Sequence, residues 1–312
     1  MASPLAVANP LPGDGDTLLD EVTHIYTHQG VRVPISGTGV LKKYFPQFDG
    51  DAVVEKNFDK WRDDPDSKYF QMINYLRLVQ HMTDEQIKHE ITVLWKSKGQ
   101  EAAWRGTAVH FQLQSFLECS VHGPDDTPGW SFDETVEVEQ FRPWLRQFCK
   151  VSDLFPCRSE WSICHTIECG SSRIPVLAGQ VDFLLKHNSL DKYVAVDFKT
   201  TDPTPKFKNG PLNLIKETIN PGRFDEYAKA PFEDLIANDF TKYSVQLNIY
   251  AFIAYANYGV DFRNDMYVLQ IHPLLKQPHL VKCANLQDRI AAVFAVEEEA
   301  ALMLHSSLPA VM

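Results

Sequence analysis

The sequence has few cysteines and no long hydrophobic run. Its 6 cysteines among 312 residues are too few for a disulfide scaffold, so we expect reduced thiols and an intracellular protein. No run approaches the ~18 consecutive apolar residues of a transmembrane helix, so we expect no membrane partner. The first 31 residues contain no lysine or arginine, which argues against a secretory signal and an arginine-rich transit peptide. Nuclear, mitochondrial and viral settings are not distinguished.

Positive charge is scarce as well. The chain has 30 Lys+Arg against 41 Asp+Glu, which gives a formal net charge of -11. Such a balance provides no general attraction to nucleic acid, so a nucleic-acid-binding role would need a local basic surface. Hydrophobic residues make up 44% of the chain and charged residues 23%, which excludes wholesale disorder and indicates a globular core.

The residue pattern divides the chain into three parts. Residues 1–30 are rich in Pro, Gly and Asp without periodicity, which predicts a flexible N-terminal arm. Residues 31–150 follow a helical pattern. Residues 151–312 begin with strand-like runs and continue with a long apolar helix over 240–258, which Gly259 would end. This order predicts a mixed α/β core behind an N-terminal helical extension.

Two aspartates lie on a predicted β-hairpin formed by the runs 176–186 and 193–200. A turn centred near Ser189-Leu190 would set Asp182 opposite Asp197, and Lys199 would share a strand face with Asp197. Like charges that face each other among apolar residues are costly, and a hard divalent cation would relieve that cost. The alternative is a surface hairpin with an ordinary ion pair between Asp197 and Lys199.

Two helical patterns add candidate residues. Gln246 and Tyr250 are four residues apart, so they share a face of the long apolar helix. His110 lies one turn after Gly106-Thr107 in an earlier helical run. Taken singly, Tyr250 also fits a core aromatic, and His110 also fits a core or surface histidine.

These motifs occur in a specific order between residues 105 and 272. The series is Gly106-Thr107-Ala108-Val109-His110, Glu160, Gly179-Gln180-Val181-Asp182, Asp197-Phe198-Lys199 and Gln246-x-x-x-Tyr250. It resembles the RecB-type, lambda-exonuclease-like branch of the PD-(D/E)XK nucleases. The resemblance implies a restriction-endonuclease-like core in residues 151–312, with a central mixed sheet flanked by helices. The helical part, 31–150, would contribute the helix that carries His110.

The resemblance also implies roles for these side chains. The implied catalytic residues are Asp182, Asp197, Lys199, Glu160, Gln246 and Tyr250. The implied ligands of Mg²⁺ or Mn²⁺ are His110, Asp182, Asp197 and the Phe198 carbonyl. Lys199 would orient or deprotonate the attacking water and stabilise the charged transition state, and Glu160 would assist the metal or its water. Gln246 and Tyr250 would position the lysine and the DNA backbone.

Some members of this group carry an iron–sulfur cluster, which needs three cysteines after the core. Here only Cys283 follows the Gln246 helix, so we expect no such cluster.

A locally basic segment follows the predicted catalytic strand. From Lys199 to Arg223 the chain has five basic and two acidic residues, and all but Lys199 lie in a loop that spans 202–239. We interpret it as a wall that guides a single strand, whereas the alternative is a solvated loop. The candidate residues for nucleic-acid binding are Arg105, Thr107, Lys206, Lys208, Lys216 and Tyr250.

The sequence therefore predicts a metal-dependent nuclease that hydrolyses DNA, with single strands or duplex ends as substrates and an exonuclease mode. A structure-specific DNA endonuclease and an RNA endonuclease fit the same core. An inactive protein that only binds nucleic acid is a further alternative, although Asp182, Asp197 and Lys199 are all present. No G-x-x-x-x-G-K-[ST] motif occurs, so a helicase or a replication or repair partner would be a separate chain.

Overall fold

The structure is a computed structural model that describes residues 3–120, 135–170, 172–205, 210–217 and 226–307. Its helices are α1 (Pro4–Ala8), α2 (Gly37–Tyr44), α3 (Gly50–Asp63), α4 (Phe70–Leu78), α5 (Asp84–Cys119), α6 (Val136–Ser152), α7 (Asp239–Tyr258) and α8 (Gln287–Ser307). Its strands are β1 (Thr17–Asp20), β2 (Ile25–His28), β3 (Val31–Arg32), β4 (Ile35–Ser36), β5 (Leu154–Cys169), β6 (Ser172–His187), β7 (Tyr193–Lys199), β8 (Met266–Gln270) and β9 (His279–Lys282). The predicted mixed α/β class is confirmed. Within these ranges, no helix combines the length and apolar character needed to cross a membrane.

The chain folds into two compact units, and one of them is discontinuous in sequence. The sheet unit comprises Met1–Pro46 and Val109–Met312, and the helical unit comprises Gln47–Ala108. The helical unit has its own core, formed by Val54, Phe58, Tyr69, Ile73, Ile87 and Ile91. These bounds differ from the predicted boundaries at residues 30 and 150, because the segments on both sides of the helical unit pack on the same sheet.

Side-chain caps define several helix ends. Thr83 and Gln86 bond reciprocally at the start of α5, where the Gln86 amide N–H donates to Thr83 Oγ1 over 3.3 Å. Asn238 caps α7 by accepting from the Thr241 amide at 2.9 Å. Gly259 ends α7 with a φ of 69°, a left-handed conformation that glycine adopts without steric cost. The predicted stop at Gly259 is confirmed.

The main sheet has six strands, and two of them, β4 and β7, pair with different parts of the same edge of β6. Strand β5 pairs antiparallel with β6 almost from end to end and so occupies one edge. On the other edge, β4 pairs in parallel with Leu177 and Ala178, whereas β7 pairs antiparallel with residues 183–186. Residues 179–182 lie between these two partners, and no described strand pairs with them on that edge. We call this gap the fork. Beyond it, β7 pairs in parallel with β8, and β8 pairs antiparallel with β9.

Helices cover both faces of the sheet. On one face, the C-terminal part of α5 and helix α6 bury apolar side chains against Val196 and Phe198. On the other face, α7 and α8 pack against Ala195 and Val268. Ala195 packs on one face of β7, and Val196 and Phe198 pack on the other, as in a strand buried on both faces.

Residues 4–32 contain one helix and three strands, whereas the sequence predicted a flexible arm at residues 1–30. Strands β1, β2 and β3 form an antiparallel sheet of their own. Helix α1 is held because Leu5 is fully buried against α5 and α6 residues, and the Asp14 carboxylate lies 2.5 Å from the Arg158 guanidinium. Strands of two to four residues are too short to show a period in the sequence, which explains the difference.

Candidate metal centre

Three carboxylates lie in one row across three neighbouring strands. The pairing of β5 with β6 on either side of Glu160 places this residue opposite Asp182. The pairing of Phe183 with Val196, extended by one residue, places Asp182 opposite Asp197. The predicted hairpin and its register are therefore confirmed. Asp197 is only 1% exposed and Asp182 9% exposed, so this hairpin is buried rather than a surface hairpin, and Glu160 beside it is half-buried.

Helix α5 adds His110 to this row. Its Nδ1 lies 3.4 Å from Glu160 Oε1 and 3.7 Å from Asp182 Oδ2, and its Nε2 lies 3.1 Å from the Phe198 carbonyl oxygen. The Phe198 amide in turn donates to Asp182 Oδ2 over 2.7 Å. These contacts bring together four of the sequence-predicted groups: His110, Glu160, Asp182 and the Phe198 carbonyl.

The charges and the burial of this cluster shift the pKa values of its side chains. Burial opposes the imidazolium of His110, but the Asp182 and Glu160 carboxylates outweigh it and raise the pKa of His110 to about 9. Burial raises the pKa of Asp182, and the Glu160 charge adds to the rise while His110 opposes it. Burial also raises the pKa of Asp197 to about 6, despite the attraction of Lys199. Without a cation, the cluster therefore holds a proton on His110 at neutral pH.

Lys199 closes the row at the end of β7. Its ammonium lies 2.5 Å from Asp197 Oδ2 and 4.8 Å from the centre of the Tyr243 ring. Burial disfavours the ammonium, but Asp197 and Asp182 outweigh burial and raise the pKa of Lys199 above its ordinary value. The contact is an ion pair with Oδ2 of Asp197, which is a buried atom.

The donor set fits a hard divalent cation. One ligand atom each from His110, Glu160 and Asp182 lies within 4.8 Å of the others, and carboxylate oxygens with an imidazole suit Mg²⁺ or Mn²⁺. Asp197 lies outside this set, and its Oδ2 faces Lys199. The structure thus brings the predicted ligands into one row but joins Glu160, rather than Asp197, to His110 and Asp182 most closely.

Glu160 adopts an unusual backbone conformation for a residue within a strand. Its φ is 45°, in the left-handed region that costs a non-glycine residue about 1–3 kcal/mol. Such a conformation persists only where the surroundings enforce it, and such residues often belong to functional sites. The backbone strain at Glu160 is therefore independent of the motif pattern and supports a functional role for this residue.

Tyr250 covers the fork from helix α7. Gln246 Nε2 donates to its hydroxyl over 3.0 Å, and burial raises the pKa of the phenol well above its ordinary value. A Cβ at Gly179 would overlap the Tyr250 ring, and one at Gly37 would lie 2.7 Å from Cε1. Gly179, the first residue of the Gly179-Gln180-Val181-Asp182 motif, is therefore required by the close approach of Tyr250.

Alanine at position 179 should destabilise the protein through this contact. We expect Gly179→Ala to lower the free energy of unfolding by about 1–3 kcal/mol or more, because overpacking forces the ring or the strand to shift. In a Tyr250→Ala background the same change should cost much less, a coupling that a double-mutant cycle measures by urea unfolding. Gly99→Ala is the control. Gly99 lies in helix α5 with no atom within 4 Å of a Cβ, so alanine there should stabilise by about 1 kcal/mol. Equal costs of Gly179→Ala in both backgrounds would contradict the contact.

The sequence reasoning missed two tyrosines near the row. Tyr243 lies three residues before Gln246 on the same helix face, and that spacing would have indicated it. Tyr26 comes from the N-terminal sheet and packs beside Ala178. Burial, together with the charges of Glu160 and Asp182, raises the pKa of the Tyr26 phenol. No feature of the sequence connects Tyr26 with the motifs.

The predicted nucleic-acid contacts stay predictions. Arg105 and Thr107 belong to the helical unit, where the Thr107 hydroxyl donates to the Ala103 carbonyl over 3.2 Å. Lys216 is exposed, and the segment beside it is held by the Ile215 amide, which donates to Gln270 Oε1 over 2.9 Å. The remaining two lysines of the proposed wall, Lys206 and Lys208, lie outside the described residues.

The pH dependence of stability offers a direct check on the contacts of His110. In the metal-free protein, a pKa raised from 6.5 to about 9 means that the imidazolium stabilises the fold fully below pH 6.5. This contribution is lost as the pH rises through 9. We therefore expect wild type in EDTA to be more stable than His110→Gln at pH 7, and the difference to shrink by pH 9.5.

Thermal melts of both proteins across this range measure the difference, and His305→Gln, at an exposed position of α8, is the control. A difference that does not change with pH would show that His110 is not charged in the metal-free fold.

Comparison with known proteins identifies no family for this chain. No protein-family model matches it. A search of the curated proteins found no match. Among solved structures, it is similar to the crystal structure of SSO0001, with 13% sequence identity and a TM-score of 0.25 over 65% of this chain and 71% of that one. A likeness at this level carries no argument about function, which has to be inferred from the site residues.

Proposed function

We propose that the protein is a metal-dependent nuclease with a restriction-endonuclease-like core, and that it hydrolyses phosphodiester bonds of DNA. The observation that supports this most directly is the row of half-buried Glu160 with buried Asp182 and Asp197, with His110 on one side and the Lys199 ammonium at its end. Buried like charges destabilise a fold unless they serve a ligand, and a cation with an anionic substrate is the ligand that suits them. The preference for single strands or duplex ends rests on the motif resemblance.

The ligand set follows from the contacts. His110, Glu160 and Asp182, with the Phe198 carbonyl, would hold Mg²⁺ or Mn²⁺. Bound there, the cation would supply Lewis-acid charge at the scissile phosphate.

Lys199 and Tyr250 would act on the substrate directly. Because Asp197 keeps Lys199 protonated, the ammonium is suited to stabilise the negative charge of the transition state rather than to deprotonate water. The Tyr250 phenol is neutral and accepts from Gln246, so its O–H can donate to a phosphate oxygen of the strand.

Cleavage of matched strands tests this proposal. The substrates are an end-labelled linear DNA strand, a circular DNA strand and an RNA of the same sequence, each with Mg²⁺, Mn²⁺ or EDTA. We expect the linear DNA strand to be shortened from an end only when a metal ion is present. No cleavage of any strand by the folded protein with Mn²⁺ would contradict the nuclease proposal.

The same assay separates the related activities. A cut circle would indicate an endonuclease instead of a strict exonuclease. Cleavage of RNA alone would indicate the RNA endonuclease. DNA binding without any cleavage would indicate the binding protein.

A further inference from the structure

A cavity of about 480 Å³ lies between the folded N-terminal segment and strand β5. Residues 3–21 supply one wall, and β5, Gln114 and Gln180 supply the other. Glu160 lines this cavity and also contacts His110, so the cavity adjoins the candidate metal centre. Its volume falls within the ~300–1,000 Å³ of typical small-molecule sites. We call it the N-terminal cavity.

The N-terminal wall is fixed by contacts that do not depend on a ligand. The Leu5 amide donates to Glu118 over 2.9 Å, and Arg158 lies 2.5 Å from Asp14. Arg158 also donates to the Leu5 carbonyl over 3.4 Å. Because the wall is in place beforehand, a ligand would not have to order it on binding.

The cavity offers uncharged hydrogen-bonding groups. Gln180 Nε2 donates to the Glu160 carbonyl over 3.2 Å, and its Oε1 accepts no hydrogen bond from the described residues. Gln114, one turn after His110, lines the same cavity. Its side-chain amide makes no hydrogen bond within the described ranges. Two amide side chains with free donors or acceptors can recognise a flat polar group such as a nucleobase edge.

The charges of the lining disfavour an anion. Among the described residues of the lining, Arg158 is the sole cation, and it is 2% exposed and already paired with Asp14, whereas Glu21 and Glu160 add negative charge. A phosphate would be repelled from the interior, since like charges brought together are unfavourable. The cavity therefore suits a neutral, polar group, whereas the adjoining candidate metal centre suits a phosphate.

We propose that the N-terminal cavity binds the sugar and base of one nucleotide of the substrate, with the adjoining phosphate at the candidate metal centre. This inference rests on the proposed function and deepens it, because it assigns a base-contacting site to Gln114 and Gln180. Neither residue takes part in the proposed chemistry.

Calorimetric titration with two small probes tests the assignment in the presence of Mn²⁺. The probes are deoxyadenosine 5′-monophosphate and 2-deoxyribose 5-phosphate, which lacks the base. We expect the nucleotide to bind about 10-fold or more tightly than the baseless sugar phosphate, in line with a well-placed amide–adenine pair. Gln180→Leu and Gln114→Leu should each remove much of this preference. Gln71→Leu, at an exposed position in the helical unit, should keep it.

Any other outcome of this titration would contradict the assignment of the N-terminal cavity to a base. Equal binding of the two probes, or no binding of either, would show that the cavity does not hold a base. A preference that survives both glutamine substitutions would place the base elsewhere. Cleavage assays with the same proteins separate the two proposals. Cleavage without base-dependent binding would contradict the cavity alone, and base-dependent binding without cleavage would contradict the nuclease alone.

Discussion

Replacing Lys199 with methionine is expected to lower the cleavage rate by about 10³-fold or more, because a positioned charge at the transition state is lost. Mn²⁺ binding and DNA affinity should stay within a few-fold of wild type, since the lysine makes one phosphate contact among several. Single-turnover cleavage with saturating enzyme measures the chemical step, and strand binding in Ca²⁺ measures affinity.

The fold of the Lys199→Met variant needs its own control. The substitution removes the lysine ammonium and leaves the buried Asp197 carboxylate without its partner. Breaking a buried ion pair in this way costs about 3–5 kcal/mol. Thermal melts should therefore accompany the assay, which is run where both proteins are folded. Lys192→Met changes an exposed lysine of the same hairpin and should cleave normally. Near-normal cleavage by Lys199→Met would rule out the nuclease mechanism as drawn.

Replacing Asp182 with asparagine is expected to separate stability from metal binding. In EDTA the variant should be as stable as wild type or more stable, because one of three adjacent carboxylates loses its charge while the side chain keeps its shape. A cation at roughly 100 times its dissociation constant should add about 2.7 kcal/mol to wild type. It should add much less to the variant, which has lost a hard ligand, and the variant should not cleave DNA.

Thermal melts with EDTA and with Mn²⁺ measure both effects. Asp191→Asn is the matched control, since Asp191 lies in the turn of the same hairpin with a side chain that is 85% exposed. It should show the Mn²⁺-induced shift of wild type. If Asp182→Asn shows that same shift, Asp182 is not a metal ligand.

The β6–β7 hairpin is predictable from the sequence for a physical reason. Strand residues alternate between faces, and a short turn fixes the register, so the positions of Asp182 and Asp197 follow from counting. Long helices with clear caps, such as α7 with Gly259 at its end, are predictable for similar reasons. Motif order then points to Glu160 on the preceding strand and to His110, which lies far from the hairpin in sequence.

Other features depend on contacts that no local pattern records. The fold of residues 1–30 depends on Leu5 and Asp14, whose partners lie more than a hundred residues away in sequence. The closer grouping of Glu160 with His110 and Asp182, with Asp197 turned to Lys199, also requires the three-dimensional arrangement.

The discontinuous sheet unit has a consequence for how the chain acquires its fold. Strand β4 can pair only after β6 has been synthesised, and β6 lies well over a hundred residues later in the chain. The helical unit, Gln47–Ala108, contains mainly local helix–helix contacts, which form fast, whereas distant strand pairings form slowly. The helical unit should therefore fold while the chain is still growing. The N-terminal segment, which is synthesised first and borders the fork through β4, should be the last to pack on the sheet.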